Sequence, residues 1–96
     1  MGVKEAVKLA LGYVIDLFES EKITNVGLEE VEFDEPTKHW YVTVGFSRPW
    51  DVIQPRSVVQ LMGAEERLKR SYKVVTIDEV GERVLSVKNR EVGIPA

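Results

Sequence analysis

The sequence contains no cysteine and only one histidine, His39. The absence of cysteine excludes disulfide crosslinks, thiol catalysis and cysteine-ligated zinc. Basic side chains are not in surplus, because 13 lysines and arginines face 16 aspartates and glutamates. A protein that binds a nucleic-acid backbone normally carries a basic surplus, so we expect no nucleic-acid partner.

Long apolar runs are also missing, and none approaches the ~20 residues that a membrane-spanning helix needs. Residues 1–6 carry charged side chains within an amphipathic pattern, whereas a secretory signal has a basic start and a continuous apolar stretch. The sequence therefore predicts a cytoplasmic protein with no membrane partner.

Motifs that carry chemistry are absent as well. There is no glycine-rich phosphate loop and no nucleophile elbow. His39 lies beside a predicted turn, where a general base would lack a cleft and a second group. An acidic cluster lies along an extended segment, which has no glycine-centred loop to fold the carboxylates around a cation. The cluster comprises Glu29, Glu30, Glu32, Asp34 and Glu35. We expect no enzyme activity, no catalytic residues, no cofactor and no metal ion.

What the sequence does contain is a core-forming pattern. With 96 residues and an apolar fraction of 44%, residues 1–96 predict a single α+β domain. Apolar residues recur every three or four positions over residues 3–20, which predicts an amphipathic helix. The apolar stripe comprises Val3, Ala6, Val7, Ala10, Leu11, Val14, Leu17 and Phe18.

Two β-hairpins follow the helix, over residues 26–48 and 71–90. In the first, a four-residue loop with Pro36 in its second place pairs Asp34 with His39, Phe33 with Trp40 and Val31 with Val42. This register places apolar residues on one face and polar residues on the other, as in a sheet that is covered on one side.

Residue parity changes upstream of Val31, so we expect a bulge near residues 27–30. In the second hairpin, alternation pairs Ile77 with Leu85 and Val75 with Val87, and it sets Glu79 opposite Arg83. The residues beyond position 90 form a tail that we expect to fray.

The long connection over residues 49–70 allows two interpretations. Ser57 to Gln60 matches a capping box that starts a short helix, whereas Gly63 favours a short strand followed by a helical turn. Trp50, flanked by prolines, is either a lid on the core or an anchor for a partner. The candidate partner-binding residues are Trp50, Ile53, Val58, Leu61 and Met62 in this connection, with Tyr41 on the outward face of the sheet.

The order helix, hairpin, hairpin resembles the cystatin-like group of folds, and within this group the chain looks most like a PepSY-type domain. The resemblance rests on residues 3–10, on the strand of residues 39–44, and on residues 72–78 with Gly81 and the Val84-Leu85-Ser86-Val87 strand. It implies a helix packed on a curved four-stranded antiparallel sheet, in the order α-β-β-(short α)-β-β. It also implies binding to a protein rather than catalysis.

The main functional hypothesis is therefore a small non-enzymatic protein-interaction or accessory module. A homodimer could form through a sheet edge or through residues 49–62. The alternative hypothesis is a small-molecule-binding or enzymatic cone-shaped domain, with a pocket between helix and sheet near Tyr13, Trp40 and Trp50.

Overall fold

The computed structural model describes residues 1–49 and 70–90, and it has the predicted α+β arrangement. Four strands form one antiparallel sheet in the order β1-β2-β3-β4, which is not closed into a barrel, and one helix packs on it. The elements are helix α1 (Val3–Leu17), a 3₁₀ turn (Glu19–Glu21), and strands β1 (Thr24–Asp34), β2 (His39–Ser47), β3 (Ser71–Asp78) and β4 (Arg83–Asn89). The short helix predicted for the connection lies outside the described residues. Within the described ranges, no helix has both the length and the apolar character to cross a membrane.

Helix α1 buries one residue per turn completely against the sheet. Ala6, Ala10 and Val14 are completely buried, and their spacing of four places them on one line along the helix. The two alanines allow the helix backbone to lie close to the sheet. The sequence predicted a wider buried stripe, but Val3 is 47% and Leu17 is 51% exposed. Partly buried residues flank the completely buried line and also pack against the core, namely Val7, Leu9 and Leu11.

The helix ends earlier than the predicted boundary at residue 20. Its last residue is Leu17, and Phe18 then leaves the helical conformation with φ of −105°. The Phe18 ring packs against Phe46 of β2, with 5.2 Å between the ring centroids. This contact and the left-handed backbone at Lys22, where φ is 52°, direct the chain into β1.

The first hairpin has the predicted register. Asp34 pairs with His39, Phe33 with Trp40 and Val31 with Val42. The expected bulge is present, because the β1–β2 register shifts between Leu28 and Glu30. We call the side of the sheet that faces α1 the inner face and the opposite side the outer face.

The second hairpin differs from the prediction by one residue. Val75 pairs with Val87 as expected, but the register then shifts, so that Ile77 pairs with Val84 and not with Leu85. Leu85 is the extra residue of this bulge and is 42% exposed, whereas Ile77 is completely buried. The predicted Glu79–Arg83 pairing is also wrong, because Asp78 pairs with Arg83.

The outer face is less uniformly exposed to water than the sequence predicted. Thr43 and Ser47 of β2 are buried, and the glycine between them, Gly45, lies under an ion pair that crosses the strand. This pair joins Arg70 Nη2 to Glu29 Oε2 at 3.2 Å. A Cβ atom at Gly45 would lie 2.7 Å from the guanidinium and 2.8 Å from the carboxylate, so a larger residue here would displace the ends of these two side chains.

Candidate partner-binding groove

An apolar groove of about 400 Å³ lies between α1 and the edge strand β1. We call it the α1–β1 groove. Its lining comes from one side of the helix and from the inner face of the strand, and comprises Val3, Lys4, Val7, Lys8, Leu11, Leu28 and Val31. The helical members follow spacings of three and four, so they project from the same side of α1.

The bulge in β1 completes the wall of the groove. Leu28 and Val31 are three positions apart, so a regular strand would point their side chains to opposite faces. The extra residue at the bulge restores the parity, and Leu28 pairs with Val44 while Val31 pairs with Val42. Both side chains therefore face α1. The sequence predicted the bulge but not this consequence.

The groove leaves large apolar side chains accessible to water. Val3 is 47% and Leu28 is 44% exposed. Ile15, one turn beyond Leu11, extends the apolar side of the helix and is 48% exposed. Contiguous exposed apolar surface of this kind commonly marks a binding site in a soluble domain.

The charges around the groove differ between its helix side and its strand side. Lys4 and Lys8 are exposed on the helix and are the charged side chains among the described residues of the lining. Glu30 and Glu32 are exposed on β1 and lie on the outer face, opposite Thr43 and Tyr41. The groove is thus bounded by lysines on the helix, while the outer face of the neighbouring strand is acidic.

Among the strands that the structure describes, β1 is an edge of the sheet, since β2 is its only neighbour in their order. Alternate residues of an edge strand direct their N–H and C=O groups away from the sheet, where another strand can pair with them. The groove and these backbone groups are therefore adjacent.

One end of the helix–sheet interface is closed by Glu79. The Met1 amine donates a hydrogen bond to Glu79 Oε1 and Trp40 Nε1 donates to Glu79 Oε2, each at 2.5 Å. These bonds lower the pKa of the Glu79 carboxyl. The hydrogen bond to Glu79 also raises the pKa of the Met1 amine.

The other end of the interface carries polar groups that sequence reasoning missed. Arg48 lies over the ring of Phe46 at 5.0 Å, and it donates hydrogen bonds to Glu21 at 2.5 Å and to Ser71 at 2.6 Å. Lys73 lies on the inner face, paired with Val44. Burial lowers the pKa of the Lys73 ammonium, and the Arg48 guanidinium lowers it further. Lys73 lies two residues before Val75 on the same strand, and this alternation was the sequence signal that could have placed Lys73 on the inner face.

Most of the sequence-predicted partner residues lie outside the described residues, namely Trp50, Ile53, Val58, Leu61 and Met62. Tyr41 lies on the outer face as predicted, half-buried between Glu32 of β1 and Thr76 of β3. His39 lies between Asp34 and Asp78 in the sheet register, with its ring edge-on to Tyr41 at 6.4 Å.

Two of the three residues considered for a pocket, Tyr13 and Trp40, lie far apart. Trp40 lies at the end of the sheet where the helix begins, as its bond to Glu79 beside Met1 shows. Tyr13 lies about 18 Å farther along the helix, at ~1.5 Å per residue, and it is 42% exposed. Trp50 lies outside the described residues.

The members of the acidic cluster have separate positions. Glu29 pairs with Arg70 and Glu35 pairs with Lys38. Asp34 accepts hydrogen bonds from the backbone N–H and the hydroxyl of Thr37, at 3.3 and 2.5 Å, and so holds the first turn. Only Glu30 and Glu32 remain as an exposed acidic row on β1.

Comparisons with known proteins give no match: no family model, no curated protein and no solved structure is significantly similar to the chain. The resemblance to PepSY-type and cystatin-like domains therefore stays an interpretation of the sequence.

Proposed function

We propose that the protein is a non-enzymatic protein-interaction module, which holds an apolar segment of a partner protein in the α1–β1 groove. The observation that supports this proposal is the groove itself. It exposes Val3 and Leu28 by nearly half, and it runs beside a sheet edge that can pair with another backbone. Its apolar area contributes binding energy at about 25 cal/mol per Å² when a partner removes it from water.

The character of the lining favours a polypeptide over a small molecule. A small-molecule site usually combines an apolar cavity with several convergent polar groups that fix the orientation of the ligand. Within residues 1–49 and 70–90, the groove offers two charged side chains, Lys4 and Lys8, and both are exposed. A long apolar surface next to unpaired backbone groups is instead typical of peptide recognition.

This proposal keeps the role that the resemblance to PepSY-type domains implies, which is binding without catalysis. A cytoplasmic location stays part of the proposal. Trp50 and its neighbours in residues 49–62 remain a second candidate surface, and the experiment below separates the two.

The chain offers a closely matched pair of variants for the test. Leu28 and Leu85 both lie at bulges in edge strands, and they are 44% and 42% exposed. Only Leu28 lines the groove. Leu28→Lys places a charge in the groove, whereas Leu85→Lys makes the same change on the opposite edge.

The protein would be used to capture partners from native lysate, and each captured protein would be purified and its dissociation constant measured directly. We expect Leu28→Lys to weaken binding at least tenfold and Leu85→Lys to leave it within twofold. Circular dichroism would verify that both variants are folded. Equal binding by both variants would reject the groove as the binding site. A loss of binding confined to Trp50→Ala would instead assign the binding site to residues 49–62.

A further inference from the structure

We infer that the partner contributes an extended segment that joins the sheet as a fifth strand beside β1, with apolar residues facing the groove and basic residues on the outer face. This inference rests on the proposed function and specifies the chemistry of the partner. It is carried by the position of the groove, by the two glutamates of β1 and by the two lysines of α1.

The position of the groove determines the binding mode. A strand that pairs with β1 would lie about 4.8 Å from it. Its alternate side chains would then project from the inner face, next to Leu28 and Val31 on one side and Val7 and Leu11 on the other. One backbone thus satisfies the edge of β1 while its apolar residues fill the groove.

The outer face of β1 specifies the charge of the partner. Neither Glu30 nor Glu32 forms an ion pair with any described residue, in contrast to Glu29 and Glu35. Their neighbours on β2 are the uncharged Thr43 and Tyr41. A strand on the free side of β1 would place its outward side chains about 5 Å from these carboxylates, where lysine or arginine is favoured.

The lysines of the helix prevent the same basic residues from facing inward. Lys4 and Lys8 border the groove on the α1 side, so a basic side chain that pointed into the groove would meet like charge. The basic residues of the partner must therefore alternate with apolar ones, at a period of two. A high total number of basic residues without this alternation would not fit the groove.

A second copy of the chain does not fit this surface. Pairing of two β1 strands about a twofold axis near Val31, beside the groove, would bring the Glu30–Glu32 row of one copy next to the same row of the other. It would also bring together the lysines of the two helices. Like charges directly opposite one another destabilise strand pairing, so the charge pattern favours a different chain over a homodimer at this edge.

The test uses two synthetic peptides, one alternating valine with lysine and the other alternating valine with glutamate. Both present the same apolar residues to the groove, and they differ only in the charge next to β1. We expect the lysine peptide to bind the intact protein roughly 2- to 30-fold more tightly by fluorescence anisotropy, the range that two cross-strand charge pairs provide. The double variant Glu30→Lys/Glu32→Lys should reverse this preference.

A control separates local pairing from the net charge of the protein. Asp16→Lys/Glu19→Lys changes the net charge equally at exposed positions away from β1 and should leave the preference for the lysine peptide intact. Reversal in this control as well, or no binding of the lysine peptide, would overturn the inference.

Two further results distinguish the inference from the proposed function. If both peptides bind equally and Leu28→Lys abolishes both, the groove binds peptide but the basic-strand chemistry is wrong. Bound peptide should also slow amide hydrogen exchange in residues 30–34, since their outward N–H groups become paired. Binding without this protection would reject the addition of a strand.

Discussion

Truncation of Ile77 and of Leu85 provides a sharp test of the β3–β4 register, because the two side chains contain the same number of atoms. Ile77 is completely buried and Leu85 is 42% exposed. Ile77→Ala removes a buried side chain and leaves a cavity, which costs about 2–5 kcal/mol. Leu85→Ala loses only the transfer free energy of a partly exposed side chain, about 1 kcal/mol.

The measurements are thermal denaturation and urea denaturation, both followed by circular dichroism, with the slope of the urea transition compared between variants. In a domain of this size, each 1 kcal/mol lowers Tm by roughly 4–8 °C. We therefore expect a loss of at least about 8 °C for Ile77→Ala and about 4–8 °C for Leu85→Ala. Equal losses, or a larger loss for Leu85→Ala, would show that Leu85 faces the helix and would refute the bulge.

Three other substitutions test separate parts of the fold. Gly12 is exposed in α1 and a Cβ there meets no atom within 4 Å, so Gly12→Ala should raise the free energy of unfolding in urea by about 0.5–1 kcal/mol. Glu82 has a left-handed backbone with φ of 51°, and Glu82→Gly should raise Tm, because glycine adopts this conformation without a steric penalty. Glu79→Gln should lower Tm most between the ordinary carboxyl pKa of 4.5 and the ordinary amine pKa of 8.0. The Glu79 carboxyl has a lowered pKa, so its stabilising effect is lost as pH falls through that folded-state value, and the Met1 amine has a raised pKa, so its effect is lost as pH rises through it. A Tm difference that stays constant from pH 3 to pH 10 would contradict the ion pair.

The difference between the two hairpins shows how far sequence reasoning extends. In the first hairpin, the loop after Asp34 and the apolar alternation specify the same register, so the pairing was predicted correctly. In the second, alternation backward from Val87 points to Leu85, whereas a four-residue loop after Asp78 pairs Ile77 with Val84. The two criteria disagree by one residue, and the bulge accommodates the disagreement.

The candidate site was less predictable than the fold. Helical periodicity placed Val7 and Leu11 on the apolar side of α1, but no local pattern gives the distance from that side to β1. The groove depends on the angle of the helix across the sheet and on the bulge that turns Leu28 inward. Both are tertiary properties, so the sequence pointed instead to the apolar residues near Trp50.

The ion pair across Gly45 links three positions that are far apart in the chain. Any larger residue at 45 would displace the side chains of Glu29 and Arg70. Conversely, a chain that lost the pair would have space for a side chain at this position. In related sequences, we expect the glycine and the two charges to be inherited or replaced together, so that their joint variation would identify true homologues of this sheet even where overall identity is low.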